Sequence, residues 1–219
     1  MAYRRTENVV RRMNSRRDAI VAAARELAGE GGMAAIQIAP VAARAGIASG
    51  TVYRYFPGKI ELVGALIASV SERELAATQR AANDAPGPLS ALAAAITTFA
   101  ARARRNRRLA WAVMAEPVDA DIDTMRLAYR KAFAGQLEAL IRAVIAGGQL
   151  PELDASLAAP ALVGALLEGL VGPLAPDSGD DAGKTREAVQ SIALLALRGL
   201  GVVDARARGL VAQAVLPEI

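Results

Sequence analysis

The chain has 219 residues, enough for one large or two small domains with a substantial core, and is 53% hydrophobic but only 4% aromatic. It contains no cysteine and no histidine, which excludes disulfides, thiolate nucleophiles, Ser-His-Asp triads and zinc sites built on sulfur or imidazole. The net charge of +4 is unevenly spread: residues 1–60 carry ten Lys or Arg against four Asp or Glu, and the remainder sixteen against eighteen, so the cationic end is the N-terminal one, as expected where nucleic acid binds.

Apolar residues recur at helical spacing, glycine and proline fall between the runs, and alternating patterns are scarce, so the expected fold class is all-α with about nine or ten helices. The start lacks an apolar signal core. The longest apolar runs are interrupted by Glu168, glycines and prolines within fewer than about 18 residues, so a soluble, cytoplasmic protein without a membrane partner is expected.

Residues 1–14 are arginine-rich and weakly periodic, which suggests a basic flexible arm. Arg4, Arg5, Arg11 and Arg12 could track phosphates or enter a minor groove, or the segment is a tail that only adds attraction. Ser15-Arg16-Arg17-Asp18 has the pattern of a capping box that starts a helix. Ile20, Ala24, Leu27 and Ala28 then share one face until Gly31-Gly32 closes it.

The stretch QIAPVAARAGIASGTVYRYFPGKIEL, residues 37–62, holds two short helices. In the first, residues 38–45, Ile38, Val41, Ala42 and Ala45 share a face, and Pro40 in the first turn removes only an amide that lacks a partner anyway. Gly46 supplies the turn and Ile47 an apolar anchor beyond it. Ser49 is expected to cap the second helix, residues 49–55, whose slim leading turn at Gly50-Thr51 can enter a groove; Pro57 ends it. This is a helix-turn-helix, completing a DNA-binding domain over residues 15–62.

Val41-Ala42, Ala45-Gly46-Ile47, Gly50-Thr51, Tyr53, Tyr55-Phe56, Lys59 and Leu62 together resemble the N-terminal domain of the TetR family of transcriptional regulators. The resemblance implies a DNA-contacting set of Arg44, Ala48, Ser49, Gly50, Thr51, Tyr53, Arg54, Tyr55 and Lys59. Tyr55 reads equally well as core, and Phe56 reads better as core than as a DNA contact. Gln37 stands where that family often carries a capping threonine, which removes a phosphate contact from that turn.

From residue 58 a long helix runs to about residue 82, with Ile60, Val63, Ile67 and Val70 inward and Glu72, Arg73 and Glu74 outward. After the break at residues 84–88, a helix over 89–105 presents Leu92, Ala95, Ile96 and Phe99. The run Arg102, Arg104, Arg105, Arg107 and Arg108 reads as a solvated cluster favouring a helix C-terminus, with a second nucleic-acid site as the competing reading. A short helix over 109–116 follows. Asp119, Asp121 and Asp123 lack the pattern of a calcium loop and suit the N-terminus of the helix over 122–146. Further helices are expected from Pro151 and Asp154 to residue 171, with Pro160 in its first turn or kinking it, over 184–200, and from an Asp204 cap to Leu216.

By the same resemblance, residues 63–219 form a helical ligand-binding and dimerisation domain. Dimer candidates are Leu162, Ala165, Leu166, Gly169, Ile192 and Leu195. Effector-pocket candidates are Phe99, Trp111, Met114, Met125, Tyr129 and Phe133, with Arg102 or Glu116 as polar anchors. The expectation is a homodimeric, ligand-responsive, sequence-specific DNA-binding regulator, a repressor released from a palindromic double-stranded operator by a small apolar or amphipathic effector. It needs no cofactor, metal or catalytic residue. The alternatives are a ligand-independent DNA-binding protein and an enzyme using the helical cavity.

Overall fold

The computed structural model describes residues 2–117, 120–176, 179 and 181–214, with side chains from residue 9 onward. Among these residues there are ten α-helices, one 3-10 turn and no strand. The N-terminal helix α1, Ala2–Gly31, is far longer than its expected start at Ser15. Residues 2–28 contain neither glycine nor proline, and arginine, methionine and glutamate favour helix, so nothing in the sequence interrupts it. Every side chain from Val9 to Ala19 is exposed, so this stretch adds nothing to the buried core. Burial begins at Ile20 and continues through Ala23, Ala24, Leu27 and Ala28. The arm candidates Arg4 and Arg5 lie outside the described side chains; Arg11 and Arg12 are exposed on the helix.

A 3-10 turn at Met33–Ala35 leads to α2 (Ile38–Arg44), α3 (Ser49–Tyr55) and α4 (Lys59–Asn83). The helix α1 packs across α2 and α4. Ile60 was expected inward but is 40% exposed, whereas Val63, Ile67 and Val70 are buried. Farther along α4, Thr78 donates to Gln136 Oε1 (2.9 Å) and Gln136 Nε2 donates to the Leu75 carbonyl (3.2 Å).

The remaining helices are α5 (Pro88–Arg105), α6 (Arg107–Met114), α7 (Ala120–Ala146), α8 (Ala155–Leu170), α9 (Ala182–Gly199) and α10 (Asp204–Gln213). Helix α5 is the hub and touches α4, α6, α7, α8, α9 and α10. It buries side chains nearly all round, as a core helix must, and its alanines at 91, 93, 95, 100, 101 and 103 let neighbours approach closely. Pro160 sits inside α8 rather than in its first turn, on the exposed side. Asp154 and Asp181 cap α8 and α9 by accepting from backbone amides. Asp204 is the first residue of α10, not its cap, and its carboxylate accepts from Arg208 (2.9 Å) and Arg198. Leu216 and Asp119 lie outside the described residues.

The arginine run is not solvated throughout: Arg105 and Arg108 are exposed, but Arg104 and Arg107 turn inward. Arg104, 8% exposed, donates to the carbonyls of Leu170 (2.8 Å) and Pro176 (3.2 Å); Arg107 donates to those of Gly172 (2.9 Å) and Ala175 (3.1 Å). Both guanidinium forks thus satisfy carbonyls left over at and beyond the end of α8. Arg126, 1% exposed on α7, does the same for α6 by donating to the carbonyls of Ala112 and Glu116.

The dimer candidates divide. Leu162, Leu166 and Ile192 are buried in the subunit's own core, and a Cβ on Gly169 would stand 3.0 Å from Ile192 Cδ1. Their leucine spacing marks the inward stripe of the helix. The face left open holds Leu157, Ala161, Gly164 and Ala165 of α8 and Leu195 of α9.

Candidate DNA-reading unit and adjoining cavity

The turn between α2 and α3 is built by backbone hydrogen bonds. Ile47 N–H donates to the Ala42 carbonyl (2.9 Å) and Gly46 N–H to that of Ala43 (3.1 Å), the two bonds of a Schellman motif. Gly46 has φ +66°, a left-handed conformation that a side chain resists. Ile47 is half-buried against the core and fixes the exit direction. Ser49 is the first helical residue; Ala48 holds the N-cap position and no side chain caps α3. The leading amides of α3 therefore have no capping side chain of their own.

Val52 and Phe56 face inward at 0% and 2% exposure, and the Arg17 guanidinium lies 5.1 Å from the Phe56 ring centroid. The opposite face of α3 presents Ala48, Gly50, Tyr53 and Arg54, with Ser49, Thr51 and Tyr55 half-buried beside them; Lys59 is exposed at the start of α4. Nothing lies within 4 Å of where a Gly50 Cβ would stand. Eight of the nine DNA-contact candidates are thus exposed or half-buried along α3 and the start of α4. Arg44 differs: it is held by Glu30 (2.8 and 2.9 Å) and Glu26 (3.2 Å) of α1. The hydrogen bond from Arg44 holds the Glu30 carboxyl below the usual range.

Behind this unit lies a cavity of about 450 Å³. Its buried wall includes Val70 of α4, Phe99 of α5, Leu109, Val113 and Met114 of α6, and Tyr129 of α7. Of the six pocket candidates, Phe99, Met114 and Tyr129 line it. Trp111, Met125 and Phe133 do not. On α6, residues 109, 110, 113 and 114 share the cavity-facing side, and Trp111 falls off that face by helical periodicity. Met125 packs on Gly64, where an added Cβ would stand 2.9 Å from its sulfur. Phe133 stacks on Phe99 with ring centroids 4.3 Å apart.

The cavity is more polar than the aromatic pattern foretells. Arg25 of α1, Arg73 and Glu74 of α4, and Arg102 and Arg105 of α5 also line it. Arg102 grips Glu74 through two hydrogen bonds of 2.6 and 2.9 Å. Tyr129 is 5% exposed; burial, followed by the charge of Glu74, pushes its phenol up. Glu116, an anchor candidate, is elsewhere: it accepts from Met33 N–H (2.9 Å) and lies 3.6 Å from Arg108, which donates to the Gly31 carbonyl. Helix α6 therefore borders the cavity with one face, while its Arg108 and, just beyond it, Glu116 hold the end of α1 and the 3-10 turn that follows. Sequence reasoning missed Arg25, Arg73, Glu74 and Arg105. On their own helices they carry only the signal of an outward charge.

Residues 20–66 match the family model described as bacterial regulatory proteins, tetR family. The repressor KstR of Mycolicibacterium smegmatis is 45% identical over 67 residues, 31% of this chain and 33% of that protein, so the chain spans about a third of the curated relative it matches. RolR in complex with resorcinol superposes with a TM-score of 0.66 at 21% identity, over 96% of this chain and 99% of RolR. FadR of Bacillus subtilis in complex with stearoyl-CoA gives 0.67 at 21% identity, over 80% and 96%. This is a family of transcriptional regulators, not a class of enzymes. No helix among the described residues is long and apolar enough to cross a membrane. Residues 20–66 are thus similar to the DNA-binding segment of TetR-family regulators, and the chain carries that segment on the all-helical fold shared with these structures.

Proposed function

We propose that the protein is a sequence-specific, ligand-responsive transcriptional repressor that binds a palindromic operator as a homodimer and leaves it when a small amphipathic molecule fills the cavity. The observation that carries this reading is the arrangement of α6. It borders the cavity through Leu109, Val113 and Met114, its Arg108 donates to the Gly31 carbonyl at the end of α1, and Glu116 just beyond it accepts from Met33 N–H of the 3-10 turn that follows α1. A molecule that repositions α6 thereby acts on the unit that presents α3. The repressor match over the DNA-reading segment and the resorcinol and stearoyl-CoA complexes of structural neighbours support the same reading.

In this reading Tyr53 and Lys59 hold phosphates, Arg54 reaches a base edge, and Gly50 lets the leading turn of α3 approach the groove. Leu157, Ala161, Gly164, Ala165 and Leu195 meet their copies across the two-fold axis. The test is selection of bound duplexes from a random pool, followed by competition gel shifts and sedimentation. A symmetric motif bound by dimers is expected, with half-sites about one helical turn, roughly 34–36 Å, or a near multiple apart. Uniform affinity for all duplexes would instead indicate a ligand-independent, non-specific DNA-binding protein.

A further inference from the structure

We propose that the cavity selects an anionic amphiphile, with its carboxylate or phosphate head held between Arg25 of α1 and Arg73 of α4 and its apolar body against Phe99, Val113 and Met114. The inference rests on the ligand-responsive reading above and specifies the chemistry of that same site. Four arginines and one carboxylate line the cavity. The carboxylate, Glu74, is taken up by Arg102, so that pair is internally neutralised. Arg25 and Arg73 remain as excess positive charge, and both are exposed, which places them at the open side of a cavity whose wall includes the buried Val70, Phe99, Val113 and Met114. Among the described residues, neither Arg25 nor Arg73 has an ion pair.

A second observation points to a ligand from inside. Tyr129 is 95% buried by its 5% exposure, it lines the cavity, and its hydroxyl has no hydrogen-bond partner among the described residues. The oxygen itself is not among the buried unpartnered atoms, so it opens onto the cavity. The phenol is thus a neutral donor available to an oxygen on the ligand's body. Guanidinium groups suit planar, two-pronged binding of carboxylate and phosphate, and in a partly enclosed site such bonds are worth more than in water. Arg25 belongs to the DNA-reading segment and Arg73 to the helix that follows it. An anion between them joins α1 directly to the cavity, without passing through α6.

The test is calorimetric titration of the full chain with decanoate, decyl phosphate, decanol and decyltrimethylammonium, kept below their micelle thresholds at mildly alkaline pH. Parent protein is compared with the Arg25→Gln/Arg73→Gln double variant and with Arg16→Gln, an exposed arginine of α1 that does not line the cavity. Both cavity positions are exposed, so melting curves should coincide with the parent's. Decanoate or decyl phosphate should bind about tenfold or more tighter than decanol. That preference should vanish in the double variant and persist in Arg16→Gln; the stronger of the two anions identifies carboxylate or phosphate. If decanol matches the anions, or the double variant keeps the preference, the anionic-head assignment is overturned while the cavity remains an effector site. If none of the four probes binds, the assignment and the ligand-responsive reading fall together.

Discussion

The DNA-reading unit and the cavity are built on opposite plans. The unit uses contiguous chain: α2, its turn and α3 span residues 38–55, and the bonds that shape the turn join residues five and three apart. The cavity draws side chains from α1, α4, α5, α6 and α7, between residues 25 and 129. A function written in neighbouring residues constrains the sequence locally. One assembled by packing leaves each contributor looking like an ordinary member of an amphipathic helix.

The contrast is sharpest in the core that supports the cavity. Phe133 is 1% exposed and stacks on Phe99, which itself lines the cavity. Phe133→Ala should lower unfolding free energy by about 3–5 kcal/mol, read by urea titration. It should also loosen ligand binding by freeing Phe99, whereas Val52→Ala, in the local unit, should cost less because it removes fewer methyl groups. Equal losses would show that the two regions are equally demanding of their cores.

That difference decides what was legible in the sequence. Helix existence followed from apolar periodicity, and the bounds of α3 follow from Gly46, Ile47 and Pro57, all local signals. The N-terminal extension of α1 was hidden because weak amphipathicity looks like disorder, yet good helix formers without a breaker continue an existing helix. The arginine run was hidden for the opposite reason. A charge cluster says nothing of the carbonyls beyond α8 that Arg104 and Arg107 satisfy from more than sixty residues away. Trp111, Met125 and Phe133 are apolar and helical like Phe99 and Met114, and only packing distinguishes wall from core.

Two glycines separate backbone requirement from functional clearance. Gly46, at φ +66° with open space around it, should lose about 1–2 kcal/mol on conversion to alanine through backbone strain alone. Gly50 is helical and equally uncrowded, so Gly50→Ala should be neutral or stabilising by up to about 1 kcal/mol. Gly50→Leu should nonetheless weaken DNA binding, read by gel shift beside a melting curve. Undiminished affinity would remove the leading turn of α3 from the groove.

On the same surface, Lys59→Ala should reduce affinity for operator and random duplex alike and lower the salt slope by about one unit. Arg54→Ala should instead relax selectivity at one base position, at about 1–3 kcal/mol. Equal losses on every sequence for both variants would reduce Arg54 to a phosphate contact.

Arg44 is the point where the local unit depends on distant chain, and its effect should be the smallest. It was expected among the DNA contacts, but its charge is shared between Glu30 and Glu26 of α1, and all three side chains remain largely solvated. Exposed pairs of this kind contribute little to stability. The hydrogen bond from Arg44 lowers the Glu30 pKa, so the unfolded chain binds this proton more readily than the folded one. The contribution is then fully present above the ordinary glutamate range and is lost as pH falls through the lowered value. Parent and Glu30→Gln should therefore differ slightly in urea midpoint at about pH 7 and converge as the pH falls below the ordinary glutamate range. Arg44→Ala should change DNA affinity less than Lys59→Ala, because it removes a cation already compensated by two carboxylates. If Arg44→Ala instead weakens binding as much as Lys59→Ala, the pair with Glu30 opens on DNA and Arg44 rejoins the contact surface; if the midpoint difference persists unchanged in acid, the pair is not what links α1 to α2.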